Sequence, residues 1–540
     1  MVVVRPTGGG KSLVYQVAGY LMKGITLFIS PLLALASDQI RKLRMITRNR
    51  PEFVSLHLDD MEQSSINELA DDISNWKEPD GSQCAISVII FASPQLLVGS
   101  KGIPIMNILL DRNKSILSMT VMDEVHIASQ FGSTFRTEFK MLKQKFYSQL
   151  PDCCNTNIFM TGTCTLAIVR NFENLFGVKI NCTHWPKHND MRHRSVGIIL
   201  KYTSAPMNDI KKVIDATMKG RSASQSQKII IYSNMRDKII QLGKKVGDYL
   251  EIDEATYPID LVILHGHLTR NQKASYLKRF VAVSNTTIID HDVRILCATS
   301  GVVNAGIDSK HVYCAVRAEF PPSIQDMCQE KGRVGRIPSA TPDVFTYVVC
   351  FDVESFVLLL RRTLNPEEKM TQRYRTSMLK DHIQVAQLFT SIHTCFNHFF
   401  EVTLSNPFHR NPDTPIAVER CNHCPGCTPE LERMYRRVVR EVGQEILFSA
   451  FTSASKYKMG DLVQFISERD DLDRRLFTRN RRAVPKQEIK RFIFQLIAWE
   501  ILIPKYEVET KSIVFEASKL IQPAMFRFQS IDAWENIPCF

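Results

Sequence analysis

The stretch VVVRPTGGGKS, residues 2–12, joins an apolar run to a cluster of glycines and a Lys-Ser pair, and residues 13–22 continue it with helical apolar spacing. β-Branched apolar residues favour a buried parallel strand, so the stretch predicts a strand, a glycine turn and a helix. Glycine amides can fold round a phosphate at the N-terminus of such a helix. Phosphate or Mg²⁺ contacts are therefore predicted for Thr7, Gly8, Gly9, Gly10, Lys11 and Ser12, with Lys11 at the β- and γ-phosphates and Ser12 at the cation.

Composition indicates an ordinary globular protein that is basic overall. The chain has 540 residues, of which 44% are hydrophobic and 23% charged, and this length predicts about three or four domains. Its longest apolar stretch, residues 24–37, is interrupted by Pro31 and is too short to span a membrane, so we expect an intracellular protein, nuclear in a eukaryote. The 14 cysteines are then expected to be thiols or metal ligands. A net charge of +12 is compatible with a polyanionic partner.

An apolar run at residues 115–122 is followed directly by the sequence DEVH, residues 123–126. Paired carboxylates at a strand end, beside a phosphate loop, are what hydrolysis of a Mg²⁺-bound nucleotide needs. We therefore expect Asp123 to belong to the Mg²⁺ shell and Glu124 to orient or deprotonate the attacking water. His126 is expected to couple the nucleotide to the rest of the site.

A second α/β segment lies between residues 228 and 299, where apolar strands alternate with helical sequence and no second phosphate loop occurs. This alternation predicts a second parallel, doubly wound sheet. The sequence QEKGRVGR follows it, with Arg333 and Arg336 as candidate arginine fingers for the γ-phosphate and Gln329 as a candidate polar contact to the nucleotide or its water. The predicted fold class is α/β, with two parallel-sheet domains and one nucleotide site between them.

These motifs follow one another in the order found in superfamily 2 helicases, and the set resembles the RecQ family of DNA helicases. The resemblance covers roughly residues 1–430 and rests on residues 5–16, 28–39, 123–139, 160–165, 265–280 and 305–336. It implies two RecA-like domains and ATP-driven unwinding of duplex DNA with 3′-to-5′ translocation. It also implies DNA contacts by Ser30 and, in the aromatic-rich loop, by Gln130, Phe131 and Arg136.

The chain departs from the family pattern in the aromatic-rich loop and at its start. Phe131 stands where tryptophan is usual, and Ser133 and Thr134 replace a His-Asp pair. Ahead of the phosphate loop, the family carries a segment with an aromatic residue and a glutamine that grip adenine. No such segment precedes Val2, so we expect an incomplete N-terminus and weakened selectivity for adenine.

A cluster of cysteines predicts a metal centre in the second half of the chain. Three thiols at two-residue gaps occur in the sequence CNHCPGC, namely Cys421, Cys424 and Cys427. Three thiolates so spaced can reach one tetrahedral Zn²⁺, which requires a fourth ligand. The RecQ resemblance implies Cys395 for that position, because the family has one distant cysteine before such a cluster. His398 and His423 are weaker candidates, and incidental free thiols are the alternative interpretation.

The sequence from about residue 435 to residue 530 indicates a small module with helices and a hairpin. A helix begins in DLVQFI, a second covers residues 485–502 with one apolar face, and two strands follow. A helix before a hairpin is the order of a winged helix, which also resembles the C-terminal RecQ domain. Lys486 and Lys490 on the polar face are expected to contact DNA phosphates. A protein-binding winged helix is the alternative.

Four parts are predicted along the chain: a first RecA-like domain at 1–190, a second at 191–352, a helical zinc-binding module at 353–432 and a winged-helix domain at 433–530. The first functional interpretation is a DNA helicase of repair or recombination that uses ATP, Mg²⁺ and Zn²⁺, acts on single-stranded and duplex or junction DNA, and has no membrane partner. One rival is a DNA-binding remnant without ATPase activity. The other is a superfamily 2 RNA helicase, against which the aromatic-rich loop and the four cysteines argue.

Overall fold

Two separate parallel sheets dominate the structure, which is a computed structural model. The first sheet is built from chain segments that end at His184, and the second from segments between Val196 and Phe351. Both sheets confirm the α/β prediction. The structure describes residues 1–5, 9–31, 33–47, 52–75, 86–113, 116–126, 133–151, 154, 156–164, 166–177, 179–180, 183–184, 196–219, 227–252, 259–281, 293–300, 309, 312–336, 345–368, 370–390, 395–404, 421, 424–427, 457–467, 486–498, 500 and 502–517.

Within the described residues, the first sheet has seven strands, all paired in parallel. They are β1 (Val2–Val4), β2 (Gly24–Ile29), β3 (Phe53–His57), β4 (Ser87–Ala92), β5 (Leu117–Met122), β6 (Thr156–Thr161) and β7 (Thr183–His184). Their order across the sheet is β3-β4-β2-β5-β6-β1-β7. β1, β2 and β4 are buried along their whole length, because helices cover both faces of such a sheet, and this explains their continuous apolar sequences.

The helices of this first region connect the strands over both faces of the sheet. They are α1 (Lys11–Met22), α2 (Leu33–Thr47), α3 (Gln63–Ser74), α4 (Pro94–Val98), α5 (Ile103–Leu109), α6 (Ser133–Lys145) and α7 (Leu166–Phe176). α1 begins directly after the glycine cluster and buries Tyr15 and Gly19. The predicted strand and helix at the start of the chain are therefore confirmed, and residues 6–8 of the predicted turn lie outside the described residues.

The second sheet has six strands in the part of the chain that the structure describes, again all parallel. They are β8 (Val196–Tyr202), β9 (Gln227–Ser233), β10 (Ile259–Leu264), β11 (Val293–Thr299), β12 (Val312–Arg317) and β13 (Phe345–Phe351), in the order β10-β11-β9-β12-β13-β8. The helices between them are α8 (Pro206–Lys219), α9 (Arg236–Ile252), α10 (Arg270–Val281) and α11 (Ile324–Lys331). The alternation predicted for residues 228–299 is confirmed, because β9, β10 and β11 occur in this segment with α9 and α10 between them.

The C-terminal part consists of helices and a small antiparallel sheet. Its elements are α12 (Val353–Leu364), α13 (Gln372–Thr390), α14 (Phe396–Leu404), β14 (Tyr457–Lys458), α15 (Met459–Ser467), α16 (Lys486–Ala498), β15 (Leu502–Glu507) and β16 (Ser512–Ala517). The predicted second helix and the hairpin β15–β16 are confirmed. Phe351 of the second sheet contacts Phe389 at 4.8 Å and Phe494 at 5.8 Å between ring centroids. One hydrophobic core therefore continues from the second sheet into α13 and α16.

Among the helices that the structure describes, none is long and apolar enough to cross a membrane.

Candidate active site and cysteine cluster

Three neighbouring strand ends of the first sheet form the floor of the candidate site. β5, β6 and β1 are adjacent in the sheet. The Arg5 amide donates to the Thr161 carbonyl at 3.1 Å, and the Val125 amide donates to the Met160 carbonyl at 3.1 Å. Because the carboxyl ends of parallel strands meet at one edge, the phosphate loop, the carboxylates and the residues after β6 all lie at this edge.

The described part of the phosphate loop has the backbone that its glycines predict. Gly10 caps α1 in the left-handed conformation, with φ of 80° and open space around it, which favours glycine because other residues are strained there. The Lys11 ammonium donates to the Arg5 carbonyl at 3.3 Å, so it lies over the loop. Thr7 and Gly8 lie outside the described residues, and phosphate binding by the loop stays a prediction.

Asp123 and Glu124 follow β5 and form a coupled pair of carboxyl groups. Glu124 has φ of 49°, and its amide donates to Asp123 Oδ1 at 2.9 Å. Burial and the neighbouring Glu124 charge raise the pKa of Asp123 to about 7. Burial also acts to raise the pKa of Glu124, but Lys11, His126 and Arg333 outweigh it and lower that pKa to about 2. In this state the negative charge is held mainly by Glu124, the residue predicted to act on water.

His126 connects this pair to the other sheet through a directional chain of hydrogen bonds. Its Nδ1 lies 2.8 Å from Thr161 Oγ1 and 3.2 Å from Glu124 Oε2, while its Nε2 lies 2.9 Å from Nε2 of Gln329. The Thr161 hydroxyl donates onward to the Thr163 carbonyl at 2.8 Å. Since the Gln329 amide nitrogen can only donate, these partners assign the ring proton to Nδ1 and leave Nε2 as the acceptor.

Two glutamines of α11 face the first sheet from the second. Besides contacting His126, Gln329 Nε2 donates to Thr163 Oγ1 at 3.3 Å, and Gln325 Nε2 donates to the Thr163 carbonyl at 3.5 Å. A spacing of four residues places both amides on one face of the helix. Among the described residues, a polar face of α11 therefore contacts the first sheet.

A buried ionic network holds α11 on its own sheet. Glu330 accepts from Arg317 Nη1 at 2.5 Å, from the Ser300 hydroxyl at 2.9 Å and from the Tyr347 hydroxyl at 2.7 Å. Both Arg317 and Glu330 are fully buried. Burial raises the pKa of Glu330, and the Arg317 charge opposes that shift. The network fixes the rotation of α11, which decides where Gln329 lies.

We expect Glu330→Gln to lower the free energy of unfolding by about 3–5 kcal/mol, because it leaves the Arg317 charge buried without its closest carboxylate. The exposed ion pair between Glu367 and Lys511, at 3.4 Å, supplies a matched control. Glu367→Gln should cost at most about 1 kcal/mol. Denaturant unfolding of both variants measures the difference, and equal costs would contradict the role given to the buried network.

The two predicted arginine fingers lie in the turn after α11. Arg333 is 6% exposed, and its charge contributes to the lowered pKa of Glu124. Arg336 is half-buried, and its Nε donates to the Gly332 carbonyl at 3.0 Å. Gly335 between them has φ of 67°, and a Cβ there would lie 3.0 Å from the Phe345 ring. The tight turn that carries both arginines therefore favours glycine, while their contact with a γ-phosphate stays a prediction.

The residues predicted to contact DNA lie in different environments. Ser30 directly follows β2 and is 1% exposed, so a DNA contact through its side chain requires local opening. Lys490 forms an ion pair with Glu354 of α12, and Lys486 is exposed beside it. Both lysines line an open groove of about 630 Å³. The other predicted DNA contacts lie outside the described residues or have side chains outside them: Gln130, Phe131 and Arg136.

The four predicted metal ligands converge in the C-terminal part. The sulfur atoms of Cys395, Cys421, Cys424 and Cys427 all lie within 4.8 Å of one another. Cys424 Sγ is 4.0 Å from Cys395 Sγ and 3.5 Å from Cys427 Sγ, and it accepts from the Phe396 amide at 3.3 Å. A tetrahedral zinc with Zn–S bonds of about 2.3 Å places its sulfurs about 3.8 Å apart. The cluster therefore has the donor set and the spacing of a metal site.

Sequence reasoning did not assign roles to several residues that the structure places at these sites. They are Thr161, Thr163, Gln325 and Lys331. Thr161 is the last residue of β6 and Thr163 lies two residues beyond it, so their position at a strand end is the available signal. Gln325 lies one helical turn before Gln329, which could have indicated a shared face. Lys331 resembled an ordinary surface lysine in sequence, yet it is 3% exposed.

Two family models match the chain. The DEAD/DEAH box helicase model covers residues 1–172, and the helicase conserved C-terminal domain model covers residues 208–338. The first model covers six of the seven described strands of the first sheet, all but β7, and the second covers four of the six described strands of the second sheet, all but β8 and β13. Together with the carboxylates of one sheet and the arginines of the other, the two models define the class of this protein as a superfamily 2 helicase with two RecA-like domains.

Comparison with curated relatives narrows the class. Over 338 residues, or 62% of its length, the chain is 28% identical to ATP-dependent DNA helicase Q-like 4B of Arabidopsis thaliana. It is 24% identical over 78% of its length to RecQ-like DNA helicase BLM of Xenopus laevis, and 23% identical over 62% to the probable ATP-dependent DNA helicase RecS of Bacillus subtilis. The chain belongs to the RecQ family. It spans 26%, 28% and 58%, respectively, of the lengths of these three relatives.

Proposed function

We propose that this chain is an ATP- and Mg²⁺-dependent DNA helicase that moves 3′ to 5′ along DNA, in repair or recombination. The observation that carries this proposal is the 2.9 Å contact between Gln329 and His126. It joins the arginine-bearing turn of one sheet to the carboxylate pair of the other, across 203 residues of sequence. A nucleotide between the sheets would change this contact, and the change would move one RecA-like domain against the other.

The donor set at the strand ends fits a Mg²⁺-bound nucleoside triphosphate. Bound ATP with Mg²⁺ supplies the phosphoanhydride bond to be hydrolysed. Lys11 and the loop amides would hold phosphates, and Asp123 with Ser12 would hold the cation. Glu124, already charged, would orient the water and accept its proton. Arg333 and Arg336 would neutralise charge that develops on the γ-phosphate.

The domain organisation completes the proposal. We place the first RecA-like domain at 1–190, the second at 191–352, a helical zinc-binding module at 353–432 and a winged-helix domain at 433–530. Four converging thiols support Zn²⁺ in the third part. A helix followed by an antiparallel hairpin supports the winged helix.

DNA would be held at two places. In the motor, the proposed contacts are Ser30, Gln130, Phe131 and Arg136. In the winged helix, Lys486 and Lys490 would contact phosphates, with Lys490 exchanging Glu354 for DNA. An exposed ion pair of this kind contributes little stability, so replacing the Glu354 contact of Lys490 by a DNA phosphate would cost little free energy.

Assays on the purified chain test the proposal directly. We expect ATP hydrolysis that single-stranded DNA stimulates, and unwinding of a duplex with a 3′ tail but not of the same duplex with a 5′ tail. Equal stimulation by RNA of the same sequence would favour an RNA helicase instead. DNA binding without any ATP hydrolysis would identify a DNA-binding remnant.

A further inference from the structure

Lys331 is a buried lysine at the last position of α11, two residues after Gln329. Its side chain leaves the nucleotide cleft and enters the C-terminal part. The ammonium donates to Asn397 Oδ1 and lies 5.7 Å from the centre of the Phe400 ring. Asn397 and Phe400 belong to α14, which begins directly after Cys395. The ammonium is therefore anchored on the helix that follows the first cysteine of the cluster.

The electrostatic setting of this ammonium includes the cysteine cluster. Burial lowers the pKa of Lys331 to about 8. Cys328 of α11 acts in the opposite direction and favours the charged form, as do three cysteines of the cluster, Cys421, Cys424 and Cys395. Four thiolates around one Zn²⁺ leave two negative charges that the metal does not neutralise. A buried charge of this kind requires a partner.

We propose that Lys331 is a positioning residue that supplies the counter-charge of the four-cysteine metal centre and ties this centre to the helix that carries Gln329. The inference rests on the zinc site of the proposed function. α11 then connects three places: Gln329 contacts the first sheet, Glu330 contacts the second sheet, and Lys331 contacts the metal module. The turn with Arg333 follows immediately, so the metal centre helps to fix the end of the helix from which the arginines extend.

The connection acts in both directions. An ammonium that stabilises the metal–thiolate centre is itself stabilised by that centre. Metal release would remove the metal–thiolate centre that stabilises the ammonium, and Lys331 would then be a buried cation without that partner. The free energy of metal binding is therefore linked to the position of α11.

A chelator competition on the full-length chain tests this inference. Zinc release into an excess of a chromophoric chelator is followed for the parent and for Lys331→Met, which keeps the length of the side chain but not its charge. We expect Lys331→Met to weaken zinc binding about 10- to 100-fold, as loss of an outer partner of a metal site does. Lys331→Arg, which keeps the charge, should stay much closer to the parent.

Lys228 provides a matched control in the second sheet. It is fully buried, donates to the Val281 carbonyl and the Ser309 hydroxyl at 3.1 Å each, and lies 5.5 Å from the Phe280 ring centre. Lys228→Met removes a buried ammonium beside an aromatic ring without removing a neighbour of the cluster. Zinc release from folded Lys228→Met should match that of the parent.

The outcomes separate this inference from the zinc site on which it rests. A parent that holds no zinc overturns both. A parent that holds zinc, with Lys331→Met releasing it as slowly as Lys228→Met does, overturns the role of Lys331 alone. Should Lys331→Met fail to fold, Asn397→Leu, which removes the acceptor of the ammonium, decides the question by the same measurement: faster zinc release supports the inference and unchanged release overturns it.

Discussion

Glu124→Gln is expected to lower ATP turnover by about 10²- to 10⁴-fold, the effect of removing a general base from a positioned water. The structure explains why the change should be confined to chemistry. Glutamine has the same shape and the same strain at a φ of 49°, and its amide can still lie beside His126 Nδ1. The negative charge that Lys11, His126 and Arg333 stabilise is what the variant loses.

Binding measurements separate this effect from a loss of structure. Nucleotide affinity and DNA affinity of Glu124→Gln should stay close to those of the parent, because the loop, Lys11 and the C-terminal lysines are unchanged. Glu68→Gln is the matched control, since Glu68 is an exposed glutamate of α3 in the same sheet domain. Turnover of Glu124→Gln equal to that of Glu68→Gln would remove Glu124 from the proposed mechanism.

The features of this site that can be predicted from the sequence are those in which the strand and the functional residues belong to one short stretch of the chain. A β-branched run before glycines, or a run before DEVH, predicts a strand end because the strand and the functional residue are adjacent in the chain. The same local rule located α16 and its buried face. Convergence of the strand ends also follows, since parallel strands place their carboxyl ends at one edge.

The parts that the sequence does not reveal are pairings across long separations. His126 and Gln329 were each proposed for the nucleotide site, but their mutual contact depends on how two sheets pack. Lys490 has the sequence context of a DNA-binding lysine, yet its partner in the structure is Glu354, which lies 136 residues away. Neither composition nor periodicity contains this information, because both describe one element at a time.

Cys424→Ser is expected to remove the bound zinc, one ion per chain in the parent, and to unfold the C-terminal part. Cys424 is 1% exposed and contacts two other cysteine sulfurs, so it lies at the centre of the cluster. Serine is a poor zinc ligand, and zinc binding at such sites contributes on the order of 10 kcal/mol to folding. Because Cys424 belongs to the same hydrophobic core as Phe351 and Phe389, the second sheet should lose stability too.

Cys297→Ser distinguishes loss of a metal ligand from loss of a buried thiol. Cys297 is fully buried in β11, and burial raises its pKa to about 12, which favours the neutral thiol over the thiolate that binds metals. The same exchange there should cost stability without changing the zinc content. Metal analysis of reductively purified protein, with limited proteolysis of residues 353–517, measures both effects. A site with three thiolates and a hydroxyl binds zinc far more weakly than one with four thiolates. Zinc retained in Cys424→Ser at the level of Cys297→Ser would therefore mean that the four sulfurs converge for packing and not for metal.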